Sequence, residues 1–157
     1  MKKTVPNKDR GFRNYLNAVL AELRRGKMYE LPPHLNEISG KIIGHAMTVH
    51  TLLGAGLLEK VYEEALFYYL NKDGLLCEKQ KKVPINLQEV KLDSGFVIDI
   101  LVENSIIIEI KSVERFAPIH DAQIMTYLKL TDLNLGLLLN FNVPSMKDGI
   151  KRIVRTK

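Results

Sequence analysis

Three charged residues lie inside or directly beside two short apolar runs of the sequence. Asp99 interrupts residues 96–102, Glu109 interrupts residues 106–110, and Lys111 follows immediately. The two runs predict a hairpin of short strands that is covered on both faces. Charged side chains are rarely buried in such strands unless they have a partner or a function.

The length of the turn between the two runs decides whether these charges meet. With a three-residue turn at 103–105, the last residue of the first run pairs with the first residue of the second, and Asp99 falls directly opposite Glu109. Lys111 lies two residues further on and shares that face. A two-residue turn would separate the charges. The other face is predicted to be entirely apolar, made of Ile98, Ile100, Val102, Ile106, Ile108 and Ile110.

Two carboxylates that face each other repel and are unfavourable to bury together. A divalent cation removes the repulsion, and ligands that are all oxygen favour Mg²⁺ or Mn²⁺. Such a cation activates water and polarises a phosphodiester, while Lys111 can orient or deprotonate the water or offset charge on the phosphoryl group. The alternative is an internal salt bridge, which is a weak stabiliser when buried.

The rest of the sequence predicts the elements that position this hairpin. Helices are expected at about 36–53 with Asn36 as N-cap, at 57–72 and at 118–130. Strands are expected at 83–87, 96–102, 106–110 and 135–141, with an edge strand at 150–154 and a turn at Asp93-Ser94-Gly95. Lys79, Lys81 and Lys82 form a basic cluster before the first strand. This order predicts an α/β sandwich around a mixed sheet.

Length and composition narrow the class of protein. The chain has 157 residues, 46% of them hydrophobic, which suits one folded domain. It has no apolar run long enough to span a bilayer and no apolar segment behind its first charges, so neither a membrane span nor a secretory signal is expected. A single cysteine, Cys77, excludes an internal disulfide framework. We therefore expect a cytoplasmic protein.

The net charge of +5 is concentrated at the start of the chain. Residues 1–35 carry eight lysines and arginines against three acids, and the remainder carries fifteen of each sign. We expect a basic arm with a helix from Phe12 to Arg25, a linker at Leu31-Pro32-Pro33, and a compact domain over 36–157. The arm either meets an anionic partner such as nucleic acid or is a solvated tail.

Two motifs resemble a known group of enzymes. Asp99 followed by Glu109-Ile110-Lys111 on the next strand resembles the D…(D/E)XK signature of the PD-(D/E)XK nuclease superfamily. Gly56-Leu57-Leu58-Glu59-Lys60-Val61-Tyr62 is similar to the motif of the bacterial GxxExxY proteins within it. The resemblance covers about residues 36–155 and includes, in order, Gly40 to Gly44, Ile119 to Gln123, Leu138 to Phe141 and Lys147 to Val154.

The resemblance implies a restriction-endonuclease-like fold and a metal-dependent nuclease centre. It implies that Asp99 and Glu109 bind the metal and that Lys111 is the catalytic lysine. Glu59 matches the family motif, and Glu63 on the same helix face is a second candidate ligand. Gln123 and Tyr127 match a Gln and Tyr pair on the helix after the lysine. Ile98 stands where the name-giving motif has proline.

The sequence therefore predicts a Mg²⁺-dependent nuclease that hydrolyses phosphodiester bonds of DNA or RNA, with a homodimer as one possible assembly. The first alternative is a non-catalytic nucleic-acid-binding or protein-interaction module that retains the fold. The second is a structural protein with a buried ion network. The presence of Asp99, Glu109 and Lys111 together disfavours a degraded site, which should have lost at least one of them.

Overall fold

The computed structural model of the protein describes residues 31–156, without the side chain of Ser94. Within them the helices are α1 (Pro33–Leu53), α2 (Glu59–Lys72) and α3 (Pro118–Thr131). The strands are β1 (Cys77–Leu87), β2 (Val90–Val102), β3 (Ile106–Lys111), β4 (Leu135–Asn140) and β5 (Ile150–Val154). A short 3₁₀ helix, Met146–Gly149, precedes β5.

The strands form one five-stranded sheet in the order β1-β2-β3-β4-β5. All neighbouring strands are antiparallel except β3 and β4, which run parallel. A parallel pair needs a crossover connection, and α3 provides it. The α/β sandwich around a mixed sheet that the sequence predicts is confirmed.

Two hydrophobic cores lie on the two faces of the sheet. The larger joins α1 and α2 to one face and contains, among others, Ile42, Ile43, Val49, Leu66, Ile100, Ile108 and Leu137. The smaller joins α3 to the other face through Ile98, Leu101, Ile107, Ile124, Tyr127, Leu128 and Leu138. The predicted alternation places Ile98 beside Ile100, but Ile98 packs instead in the smaller core. The regular alternation of β2 is thus interrupted at Asp99, between them.

Helix α1 begins earlier than the sequence predicts. Pro33, expected within a linker, is its first residue, and Leu31 is buried in the larger core. Proline suits this position because the first amides of a helix have no intrahelical acceptor. Asn36 is therefore not the N-cap; it lies inside the first turn, and its side chain accepts a 2.7 Å hydrogen bond from Arg152.

The first two strands are longer than predicted, and the turn between them lies elsewhere. β2 runs through Asp93-Ser94-Gly95, and the chain turns between Leu87 and Val90. Gly95 permits close approach to β1, because a β-carbon there would lie 2.0 Å from the carbonyl oxygen of Val83. The basic cluster Lys79, Lys81 and Lys82, expected before the first strand, lies within β1.

The helix expected from Phe12 to Arg25 lies outside the described residues. The domain boundary at residue 36 stays a prediction. None of the helices among residues 31–156 is long and apolar enough to cross a membrane.

Candidate active site

The predicted charges meet where the pairing of β2 with β3 ends. The pairs Val102–Ile106, Leu101–Ile107 and Ile100–Ile108 form the ladder, so the three-residue turn is confirmed. Beyond the last pair, Ile100–Ile108, the Asp99 side chain rather than the backbone of β2 contacts β3. Its Oδ2 accepts a 2.8 Å hydrogen bond from the backbone amide of Ile110.

Glu109 is the most deeply buried charged group of this region. The residue is 2% exposed, and its Oε1 is buried without a hydrogen-bond partner among the described residues. Burial, and then the neighbouring charge of Asp99, raise the pKa of the Glu109 carboxyl to about 8. Lys111 and the backbone amide of Asp99 oppose this shift. A positive charge placed next to Glu109 would therefore stabilise its ionised form.

Burial also raises the pKa of Asp99, against the effect of the Ile110 amide. The charges of Glu63 and Glu59 raise it further, and that of Lys111 lowers it. The carboxylates of β2, β3 and α2 thus lie within electrostatic range of one another. The structure thus brings together Asp99, Glu109 and Lys111, as the register of the hairpin predicts.

Lys111 links the carboxylates to α3. Its Nζ lies 3.9 Å from Glu109 Oε2 and 3.5 Å from Gln123 Oε1. Gln123 in turn donates a 2.6 Å hydrogen bond to the Tyr127 hydroxyl, and the Tyr127 ring stacks on Phe96 at 3.9 Å between centroids. The side chain of Lys111 is only 15% exposed. The predicted pair on α3 is thus connected to the lysine through a continuous set of contacts.

The two glutamates of α2 have different surroundings. Glu59 is exposed, and its Oε1 accepts a 3.2 Å hydrogen bond from the Ser112 amide, directly after β3. Glu63 is buried, with Oε1 3.3 Å from Lys60 Nζ and Oε2 accepting a 2.6 Å hydrogen bond from Gln80. Glu59 thus fastens α2 to the end of β3, while Glu63 points toward β1.

Sequence reasoning missed two polar residues of this region. Asn140, at the end of β4, is 2% exposed and bonds both backbone groups of Val113, which holds the chain after Lys111. An asparagine closing an apolar strand was a visible signal for it. Gln80 contacts Glu63 and Asp99. No signal in the sequence marked Gln80, because its position depends on a backbone conformation that the strand pattern does not reveal.

The other histidines and the cysteine with defined surroundings lie outside this group of charges. His45 lies 3.0 Å from Asp73 and joins α1 to the end of α2, while His120 Nδ1 accepts a hydrogen bond from the Ala117 amide at the start of α3. Burial raises the pKa of Cys77 to about 11, so its thiol stays protonated at neutral pH.

The donors present suit a hard divalent cation. Within residues 31–156, no three His, Cys, Asp or Glu side chains are arranged to hold a metal ion by themselves. Mg²⁺, however, is commonly held by one or two carboxylates, with water and substrate phosphates completing its octahedron. Asp99 and Glu109, with the unpartnered Oε1, fit that requirement.

Comparison with known proteins gives one match. A model of the PD-(D/E)XK nuclease superfamily matches residues 36–153. No curated protein matches the chain, and neither does any solved structure. The narrower resemblance to the GxxExxY proteins stays a prediction.

Proposed function

Because the chain belongs to the PD-(D/E)XK nuclease superfamily, we propose that it is a metal-dependent nuclease that hydrolyses phosphodiester bonds in DNA or RNA. The superfamily indicates a nuclease-type domain and a nucleic-acid substrate. In this proposal, Asp99 and Glu109 bind Mg²⁺ or Mn²⁺, and Lys111 assists the attacking water. The protein acts in the cytoplasm.

One observation carries the proposal: a buried carboxylate with an unpartnered oxygen faces a second carboxylate and a lysine. Glu109 Oε1 has no partner among residues 31–156, and the charge of Asp99 raises the pKa of Glu109. A purely structural ion pair would place the lysine in direct contact with the glutamate. The 3.9 Å between Lys111 Nζ and Glu109 Oε2 is longer than a hydrogen bond and leaves the charge of the pair incompletely satisfied.

Asp99 and Glu109 would hold the cation, with Glu63 or Glu59 as a third ligand. When bound, such a cation supplies a water of lowered pKa and polarises the scissile phosphate. The bond from the Ile110 amide leaves Asp99 Oδ1 directed toward Gln80, at 3.4 Å from its amide nitrogen. The backbone therefore fixes one oxygen of Asp99, which pre-orients the carboxylate.

Lys111 would act on the water and on the charge that develops at the phosphoryl oxygens. An ammonium that is preorganised in a mostly buried site stabilises such charge more than it would in water. Gln123 and Tyr127 position Lys111, since the 2.6 Å bond between them holds the amide oxygen toward the lysine. The basic arm would add affinity for the nucleic-acid backbone without reading sequence.

A nuclease assay tests this proposal. Purified protein is incubated with single-stranded and double-stranded DNA and RNA, with Mg²⁺ or Mn²⁺ and with EDTA. Cleavage that needs the cation and disappears in Glu109→Gln is the expected result, because the amide cannot supply the negative charge.

Glu89→Gln is the matched control, since Glu89 is exposed in the turn between β1 and β2, at the opposite end of these strands from Asp99. It should cut at the wild-type rate. If the wild-type protein binds nucleic acid but neither binds Mn²⁺ nor cuts any substrate, the non-catalytic binding module becomes the better description.

A further inference from the structure

Gln80 adopts a backbone conformation that is unusual in a strand. Its φ is +52°, although it lies inside β1. On either side of it, Lys79 pairs with Ile100 and Lys81 pairs with Ile98, so Gln80 lies across from Asp99 where the ladder is interrupted. Non-glycine residues in this left-handed region are uncommon, and glutamine lacks the local hydrogen bonding that helps Asn and Asp to adopt it.

The side chain at this position joins two carboxylates from different elements. Gln80 Nε2 donates a 2.6 Å hydrogen bond to Glu63 Oε2 of α2, and lies 3.4 Å from Asp99 Oδ1 of β2. A single amide group thus contacts two of the acidic residues of the site. Unfavourable backbone conformations of this kind persist where the surroundings determine them, and they are concentrated at functional sites.

We propose that Gln80 is a positioning residue of the metal site, whose amide holds the Glu63 carboxylate beside Asp99 so that Glu63 is available as a third ligand. This inference rests on the proposed function. It also selects between the two glutamates of α2, because Gln80 contacts Glu63, whereas Glu59 accepts its hydrogen bond from the Ser112 amide.

A neutral donor suits this task better than a cation. Glu63 also lies 3.3 Å from Lys60 Nζ, but the Lys60 side chain is 64% exposed and its charge is well solvated. The Gln80 amide fixes the carboxylate geometry without adding a formal positive charge that would repel an incoming divalent ion. Hydrogen bonds from neighbours that orient metal-binding carboxylates raise metal affinity in this manner.

The test is the affinity for Mn²⁺, measured by calorimetry on the full chain. Gln80→Gly removes the side chain and tolerates the positive φ, so the protein should remain folded. Gln80→Asn keeps an amide but is one methylene too short to reach Glu63. Both variants should bind Mn²⁺ about 10–100-fold more weakly than the wild type.

The chain offers a matched control. Gln88 also has a positive φ, of 48°, and is exposed in the turn between β1 and β2. Gln88→Gly makes the same chemical and conformational change away from the acidic residues, so its Mn²⁺ affinity should equal that of the wild type. Thermal unfolding in EDTA verifies that each variant is folded at the temperature of the titration.

A double-mutant cycle with Glu63→Gln distinguishes positioning from a general structural effect. If Gln80 acts through Glu63, Gln80→Gly weakens Mn²⁺ binding in the wild type but changes it little when Glu63 is already glutamine. Equal losses in both backgrounds would overturn the inference, as would wild-type affinity in Gln80→Gly. Failure of the wild-type protein itself to bind Mn²⁺ would instead overturn the proposed function on which the inference rests.

Discussion

The carboxylate of Asp99 accepts a 2.8 Å hydrogen bond from the backbone amide of Ile110, the residue between Glu109 and Lys111. This bond lies where the ladder of β2 and β3 has already ended, so a side chain continues the contact that the backbone has stopped making. Asp99 is therefore fixed relative to both other charged residues by one backbone group. The geometry of the three charges depends on the end of this hairpin.

The stability of the metal-free protein should fall as the pH rises from about 4.5 to 8. The pKa of Glu109 is raised from 4.5 to about 8, so the folded state keeps a proton that the unfolded state has released. The fall should be at most about 1.4 kcal/mol per pH unit. The raised pKa of Asp99 acts in the same direction. Urea unfolding in EDTA at pH 5 and pH 8 measures the effect.

Glu109→Gln should largely abolish this fall, because glutamine does not ionise. Glu89→Gln, in an exposed turn, should keep it. Since a cation must displace the proton of Glu109, Mn²⁺ affinity should also rise with pH up to about 8 in the wild type. Parallel stability profiles for wild type and Glu109→Gln would show that Glu109 is already ionised at pH 5.

Tyr127→Phe should lower the turnover rate about tenfold while leaving Mn²⁺ affinity unchanged. The substitution removes the hydroxyl that accepts the hydrogen bond from Gln123, and so releases the amide that faces Lys111. Stacking on Phe96 needs only the ring, so the free energy of unfolding should change by about 1 kcal/mol or less. The measurements are single-turnover cleavage and calorimetry.

Tyr68→Phe is the control for this substitution, since Tyr68 is 58% exposed. It should leave cleavage unchanged. A Tyr127→Phe variant that cuts at the wild-type rate would limit Tyr127 and Gln123 to packing between α3 and the sheet.

The sequence predicts the centre of the site because turn length and alternation are local properties. Once 103–105 forms a three-residue turn, Asp99 and Glu109 must approach each other, and Lys111 follows by the period of the strand. The order of the elements likewise follows from the hydrophobic period. These features need no knowledge of distant parts of the chain.

The features that could not be predicted depend on contacts between strands. Asp93-Ser94-Gly95 has the composition of a turn, yet it continues β2. The glycine is needed there because a side chain at Gly95 would collide with the backbone of Val83 on β1. The positive φ of Gln80 and the shift of Ile98 to the smaller core arise where β1 and β2 lose their regular pairing around Asp99. Tertiary packing determines such irregularities, and composition does not reveal them.

Deleting the basic arm should weaken nucleic-acid binding and flatten its salt dependence, with Mn²⁺ affinity unchanged. The deletion should end at residue 30, because Leu31 and Leu35 are buried in the larger core. Residues 1–30 contain all the lysines and arginines that give the arm its excess charge. For every phosphate that the arm neutralises, its deletion should reduce the slope of log affinity against log salt by about 0.7 to 0.9. Fluorescence anisotropy at several salt concentrations measures this slope.

A full-length variant with the arm's lysines and arginines changed to glutamine separates charge from length. It should behave like the deletion. Unchanged affinity at every salt concentration in both variants would assign the arm another task, such as packing on the domain or on a second subunit.

Lys111→Ala should slow cleavage about 10²–10³-fold but keep Mn²⁺ binding, whereas Asp99→Ala should lose both. Lys111 contributes no attraction for the cation, so its removal should even ease cation entry. Its proposed work is at the water and the phosphoryl charge, and losing one preorganised group of this kind lowers the rate about 10²–10³-fold. Asp99→Ala instead removes a ligand from a site with few carboxylates. Calorimetry with Mn²⁺ beside a cleavage assay measures both effects.

Lys129→Ala, at an exposed position of α3, should match the wild type in both assays. Wild-type cleavage by Lys111→Ala would reduce the lysine to a structural partner of Glu109.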